Sequence, residues 1–253
     1  MKKTTIVMPV ANEEATMQSV IDEIMNLPYD ELYLYPVIDA FSKDRTEEII
    51  RSSEQKYPGR VKCLFYEDSN GPVSCYFYGF RCALDDGAER IIEMDGGGSH
   101  SPQELRLFIE ALDDGCDCVW GSRFIEGGGM TNHPLYRQML SGGGTFLSNL
   151  VLGTSLKDMT SGYEAFQAHV LRNLRLDKFL SSGHMYQTEM RFYCRRYKCR
   201  EVPINYIGSS SSLKLKSVTD ALKILFMLKK NEENVIIDPS FSEGRVSAAA
   251  ERK

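Results

Sequence analysis

No apolar run in this chain approaches the length needed to span a bilayer. The amino-terminal stretch carries two lysines but too short an apolar core for a secretory leader, so Thr4–Val10 reads as a first buried strand. A basic excess is missing too. Net charge is −5, which argues against a nucleic-acid footprint. Paired cysteine spacings are absent: seven cysteines make an odd count with no CxxC pair, and Cys116-Asp117-Cys118 lacks the usual zinc-ligand spacing. They read as reduced, buried thiols of a cytoplasmic protein. No internal repeat is visible.

What is present is alternation. Thr4–Val10, Leu32–Ile38, Val61–Tyr66, Ile91–Met94 and Cys118–Gly121 read as strands. Between them come helices over Glu13–Leu27, from Asp44 as cap to Tyr57 with Glu47 as capping-box partner, over Val73–Leu84 and over Pro102–Asp113. That alternation implies an α/β fold, a mostly parallel central sheet with helices on both faces. At 42% hydrophobic, 253 residues can bury a full core. The second half is less regular. Leu135–Leu152, Met185–Arg196 and Ser217–Lys230 read as helices, and Glu164–Ala168 and Arg200–Tyr206 as strands. No linker separates the halves at 122/123, so a single domain is expected over 1–230, with a loosely ordered tail at 231–253.

The most informative stretch runs from Ile91 to Glu104. Ile91-Ile92-Glu93-Met94 delivers Asp95 to a glycine corner, Gly96-Gly97-Gly98, and Ser101, Pro102 and Glu104 mark the start of a helix, as N-cap, first residue and capping-box partner. A carboxylate at the carboxyl end of a strand, in an opening kept clear by glycines, sits where open α/β sheets bind ligands. The placement suits a divalent cation shared with a phosphate.

Several separated blocks carry a wider resemblance. They include Pro9-Val10-Ala11-Asn12-Glu13-Glu14, Val37-Ile38-Asp39-Ala40-Phe41-Ser42-Lys43-Asp44, Asn70-Gly71, Gly121-Ser122-Arg123-Phe124, Pro134-Leu135-Tyr136-Arg137, Leu140-Ser141, Asp158-Met159-Thr160-Ser161-Gly162-Tyr163 and Met185-Tyr186-Gln187-Thr188-Glu189. Their order resembles the family 2 glycosyltransferases of the GT-A fold, most closely the dolichyl- or polyprenyl-phosphate mannosyltransferase branch. The resemblance implies a nucleotide-sugar-binding half at 1–122 and an acceptor half at 123–230. It implies an inverting transfer of a hexose from a GDP- or UDP-sugar to a polyprenyl or dolichyl phosphate. Pro9, Ala11, Glu13, Asp39, Gly71, Asp95, Gly96 and Gly97 would bind the donor, with Glu13 and Asp39 accepting hydrogen bonds from base or ribose. Asp95 would hold Mg2+ or Mn2+. Arg123, Arg137 and Ser141 would clamp the acceptor phosphate, guanidinium being suited to it through bidentate hydrogen bonds, and Gln187 and Glu189 would line the reaction centre.

Two positions depart from the family pattern. Gly97 stands where the metal motif has its second acid, so a cation would lean on Asp95, phosphate oxygens and water, with Ser99 and His100 nearby. Ala40 replaces the second of two paired acids. Metal dependence therefore stays open, as do two alternatives: a soluble hydroxyl acceptor, with Glu189 or Asp158 as general base, or a non-catalytic nucleotide-sugar-binding protein. Plainer readings stand beside these. Glu13 can be a first-turn helix acid, and Arg123 and Arg137 surface ion-pair partners. The carboxy-terminal helix, apolar at Leu213, Val218, Ala221, Leu222, Leu225 and Leu228 with lysines around it, either packs on the sheet or docks on an anionic membrane, directly or beside a membrane partner.

Overall fold

β1 (Thr4–Val10) is buried over almost its whole length, as a central strand of a parallel sheet must be. It pairs in parallel with β2 (Leu32–Asp39) on one side, with β3 (Leu64–Tyr66) beyond, and with β4 (Arg90–Glu93) on the other. Further out, β7 (Glu164–Gln167) runs antiparallel between β4 and β5 (Cys118–Ser122), and β8 (Cys199–Pro203) closes the edge parallel to β5. The order is β3-β2-β1-β4-β7-β5-β8. A separate parallel pair joins β6 (Gly129–Thr131) to β9 (Asn205–Ile207). The computed structural model describes residues 2–132, 135–183, 185–208 and 215–238, without side chains at 135, 137 and 215–222.

Period-two alternation sends neighbouring side chains to opposite faces. Ile6, Met8 and Val10 meet α1 (Met17–Met25), α2 (Thr46–Lys56) and α4 (Leu105–Asp113) in one core. Val7, Val37, Ile91 and Trp120 meet α3 (Pro72–Asp85), α6 (Ala168–Arg172), α7 (Tyr186–Tyr193) and α8 (Leu215–Val235) in the other. The end of α5 (Leu135–Leu152) joins the second core through Leu152. At Gly79 a β-carbon would lie 2.3 Å from Val7 Cγ1, so glycine there lets α3 sit directly on the sheet.

The structure shifts several expected boundaries. α1 begins at Met17, not Glu13, because Asn12 is left-handed (φ 58) and Glu13 O closes a turn with the amides of Thr16 and Met17. Glu13 is therefore no first-turn helix acid. The N-cap of α2 is Arg45, not Asp44, although Asp44 just before it accepts from the Thr46 amide (3.0 Å) and hydroxyl; Glu47 pairs with Arg51 instead of closing a capping box. Ser101 and Glu104 do not form theirs either. Pro102–Glu104 is a 3-10 turn, and Glu104 Oε1 accepts the Asn205 amide at 2.8 Å, tying this helix start to β9. The strand expected over 200–206 is broken between β8 and β9, and β9 pairs with β6, a short strand that the sequence did not mark. At the other end α8 continues to Val235, and Val235 and Ile236 are buried, so residues 231–238 are docked rather than loose. Residues 209–214, with Leu213 of the expected apolar stripe, and residues 239–253 lie outside the described residues.

Candidate active site

Sheet topology gathers the site. β1, β2, β4 and β5 all end on one edge, the residues before antiparallel β7 start from it, and the strand order reverses between β1 and β4. Ligands of open α/β sheets bind at such a switch point. Here the loops after β1 and β4 touch. A β-carbon at Gly96 would lie 2.5 Å from Val10 Cγ1 and 3.0 Å from Pro9 O. Gly96, expected to contact the donor, is thus a packing glycine that brings the two loops flush.

Asp95 stands at the centre of this edge with its side chain 41% exposed. The Tyr76 hydroxyl, from α3, donates to Asp95 Oδ1 at 3.0 Å. The Asp95 amide donates to His100 Nδ1 at 3.1 Å, which assigns the ring proton to Nε2, 3.8 Å from Asp95 Oδ2. The His100 ring is buried and stacks on Tyr163 at 4.6 Å. Burial lowers its pKa against the pull of the Asp95 charge, so it remains a neutral support for the corner. A β-carbon at Gly162 would lie 3.2 Å from Gln187 Nε2, 3.8 Å from Glu93 Oε1 and 3.9 Å from Asp95 Oδ1. The bare Gly162 backbone thereby lets Gln187 approach Asp95. Glu93 is fully buried behind it, its Oε2 accepting from Tyr186 at 2.8 Å. Burial and the charge of Glu164, its cross-strand partner, push its carboxyl well above the usual range.

Asp39 ends β2 on the same edge but faces mostly inward. Its Oδ1 accepts from the Phe41 amide (2.9 Å) and the Ser69 hydroxyl (3.0 Å), leaving the residue 6% exposed. Gly71 takes φ 117 to open α3, a conformation that needs glycine. Pro9 and Ala11 flank the β1 end, half-buried.

The acceptor clamp expected at Arg123 takes a different form. Its Nε and Nη2 bind Asp158 Oδ2 and Oδ1 at 2.7 and 2.8 Å, and Nη2 also donates to Thr160 Oγ1 at 2.6 Å. Among the described residues these bonds leave Nη1 to meet an anion. Burial pushes the Asp158 carboxyl up, but the hydrogen bonds and charge of Arg123 outweigh it and hold it below the ordinary range. Arg123 still belongs to the same edge, since Tyr206 lies 5.9 Å from its guanidinium and 5.6 Å from the His100 ring. Ser141 is half-buried on α5. Arg137 is on the first turn of that helix, with its side chain outside the described residues. Glu189 does not face the cleft. It is fully buried, and its two oxygens accept the amides of Leu180 and Ser181 at 2.8 Å each. The sequence reading missed Tyr76 and Glu93; a buried tyrosine hydroxyl needs a partner, and that was the available signal.

Residues 5–175 match the family Glycosyl transferase family 2. The chain belongs to that family. It is 36% identical to an undecaprenyl-phosphate mannosyltransferase of Micrococcus luteus over 68% of this chain and 70% of that protein. It is 29% identical to a polyprenol monophosphomannose synthase of Mycolicibacterium smegmatis over 81% of this chain and 77% of the other. Among solved structures, glucosyl-3-phosphoglycerate synthase of Mycobacterium tuberculosis, in complex with Mn2+, UDP and glucosyl-3-phosphoglycerate, superposes with a TM-score of 0.64 at 16% identity, covering 91% of this chain and 80% of that one. That likeness shows the GT-A fold. This family 2 enzyme is a glycosyltransferase.

Whether a divalent cation fits is decided by the donor set. Among the described residues no group of three His, Cys, Asp or Glu side chains is placed to hold a metal ion. Mg2+ is commonly held by one or two carboxylates plus substrate phosphates, with water completing the shell. The half-exposed Asp95 fits that mode, that of a cation carried in with the donor. Bound there, it would supply Lewis-acid neutralisation of the departing diphosphate.

Proposed function

We propose that this glycosyltransferase moves a hexose from a GDP- or UDP-sugar to a polyprenyl phosphate, with inversion. One observation carries the choice of acceptor. Both side chains suited to be the base for a hydroxyl nucleophile are committed elsewhere: Asp158 to Arg123, and Glu189 to the 180–181 backbone. A phosphate monoester is already anionic near neutrality and needs no such base. The donor lies over the β1/β4 switch point, its diphosphate at Asp95, its sugar toward Gln187. The acceptor phosphate approaches from the side of Arg123, Arg137 and Ser141.

Glu189→Gln tests this choice. Its amide cannot accept both backbone N–H groups, so the midpoint of thermal unfolding should fall, by about 1–3 kcal/mol of stability. Well below that midpoint, kcat should stay within about tenfold of wild type, whereas loss of a general base costs roughly 10²–10⁴-fold. A collapse of kcat at unchanged stability would favour the hydroxyl acceptor.

A lipid acceptor also gives a role to a surface that is exposed among the described residues. No helix among the described residues is long and apolar enough to cross a membrane. Yet on α5, Tyr136, Met139, Leu140, Phe146 and Leu150 are 42–70% exposed at helical spacing, and the neighbouring α8 exposes Phe226 and Met227 beside Lys223, Lys229 and Lys230. Apolar side chains flanked by lysines match the surface of an anionic bilayer. Buried Leu225 and Leu228 show that the other side of α8 packs on the protein. The enzyme should therefore float with vesicles containing phosphatidylglycerol, and the double change Phe146→Ser, Leu150→Ser should release it by about tenfold or more. Equal flotation of both forms would remove this role for α5.

A further inference from the structure

We propose that Glu13 supplies the second carboxylate of the cation site that Asp95 begins, reaching it from the loop after β1. The inference rests on the donor reading above and concerns which residues of this chain face the diphosphate. At Gly97 a β-carbon would lie 3.0 Å from Glu13 Oε1 and 3.2 Å from Oε2. The space above Gly97 is therefore taken by a carboxylate from another loop. The glycine is what makes room for it.

Glu13 is held there by its backbone. Left-handed Asn12 reverses the chain; its amide donates to Ser42 Oγ (3.2 Å) and its side-chain oxygen accepts the Lys43 amide (2.9 Å). The amides of Glu13 and Glu14 donate to Thr46 Oγ1 (2.8 Å) and Asp44 Oδ2 (3.0 Å). The loop is thus stapled to the one after β2, and its carboxylate is aimed across the switch point. Among the described residues neither Glu13 nor Asp95 forms an ion pair with a lysine or arginine; the His100 ring beside Asp95 accepts the Asp95 amide through Nδ1. Two carboxylates with diphosphate oxygens and water complete the shell that Mg2+ or Mn2+ uses.

The test is Mn2+ binding to the full chain, read by electron paramagnetic resonance, with UDP or GDP present and absent, beside calorimetry of each nucleotide in metal-free buffer. In wild type the nucleotide should tighten Mn2+ binding. Glu13→Gln should weaken Mn2+ about 10- to 100-fold at saturating nucleotide and should not lower metal-free nucleotide affinity. Gly97→Asp alone, at an exposed position outside the left-handed region, should not improve Mn2+ binding, because the new carboxylate meets Glu13. Glu13→Gly with Gly97→Asp, which moves the acid from one loop to the other, should recover it. Unchanged Mn2+ affinity in Glu13→Gln would overturn the assignment. So would loss of metal-free nucleotide affinity in that variant, which would place Glu13 on the base or ribose. If wild type bound neither nucleotide in any buffer, the donor reading itself would fall, and this site with it.

Discussion

Asp95→Asn is expected to slow sugar transfer by about 10²–10³-fold while leaving the protein folded. Asparagine keeps the side-chain oxygen that accepts from Tyr76, and the backbone amide that donates to His100 is untouched, so the corner retains its shape. Only the charge goes. Removing one preorganised electrostatic contact at a reacting centre costs about 10²–10³-fold in kcat, and Asp95 is a half-exposed carboxylate at the switch point. The measurement is kcat with a labelled nucleotide sugar, alongside the thermal midpoint. A variant within about threefold of wild type would mean that the diphosphate is neutralised elsewhere.

Arg123→Ala should act chiefly on stability. The guanidinium side chain is 7% exposed and Asp158 0%, so truncation leaves a buried carboxylate with no cation. Breaking a buried pair from one side costs about 3–5 kcal/mol, or roughly 6–20 °C in the midpoint for a chain of this size. Arg123→Met combined with Asp158→Asn should cost less than the two single changes added, because asparagine still accepts the Thr160 amide and carries no charge. The pH dependence has a definite sign. The folded Asp158 carboxyl lies below its ordinary value, so the contribution of the pair is complete above the ordinary carboxylate range and fades as pH falls through the depressed value. Arg123→Ala should lose that acid-side dependence. If Arg123 served only as an acceptor clamp, its removal would raise the acceptor KM and leave the midpoint in place.

These expectations separate what was legible in the sequence from what was not. Apolar alternation and helix spacing placed the strands of the nucleotide half within a few residues, because a strand buried on both faces must be apolar throughout. Asp95 was visible because a strand, a carboxylate and three glycines adjoin in the chain. The partners of polar groups were not. Asp158 is 35 residues from Arg123, and Asn205 is 101 residues from Glu104, so nothing local distinguishes an outward clamp from an inward ion pair, or a capping box from a tether to another strand. Glu189 reads as a site residue from its neighbours in sequence, yet the 180–181 amides claim its oxygens. Gly97 reads as a missing acid in one dimension; in three, the acid beside it comes from the loop after β1.

The central claim is that the chain moves sugar from a nucleotide to a lipid phosphate. Purified protein given radiolabelled GDP- and UDP-hexoses, Mn2+ and undecaprenyl phosphate in vesicles tests it most directly. The account predicts label in the organic phase with one of the donors, dependent on the lipid phosphate and slowed in Asp95→Asn. Label that stays with the water-soluble donor in every combination, or passes to undecaprenol as readily as to its phosphate, would contradict it.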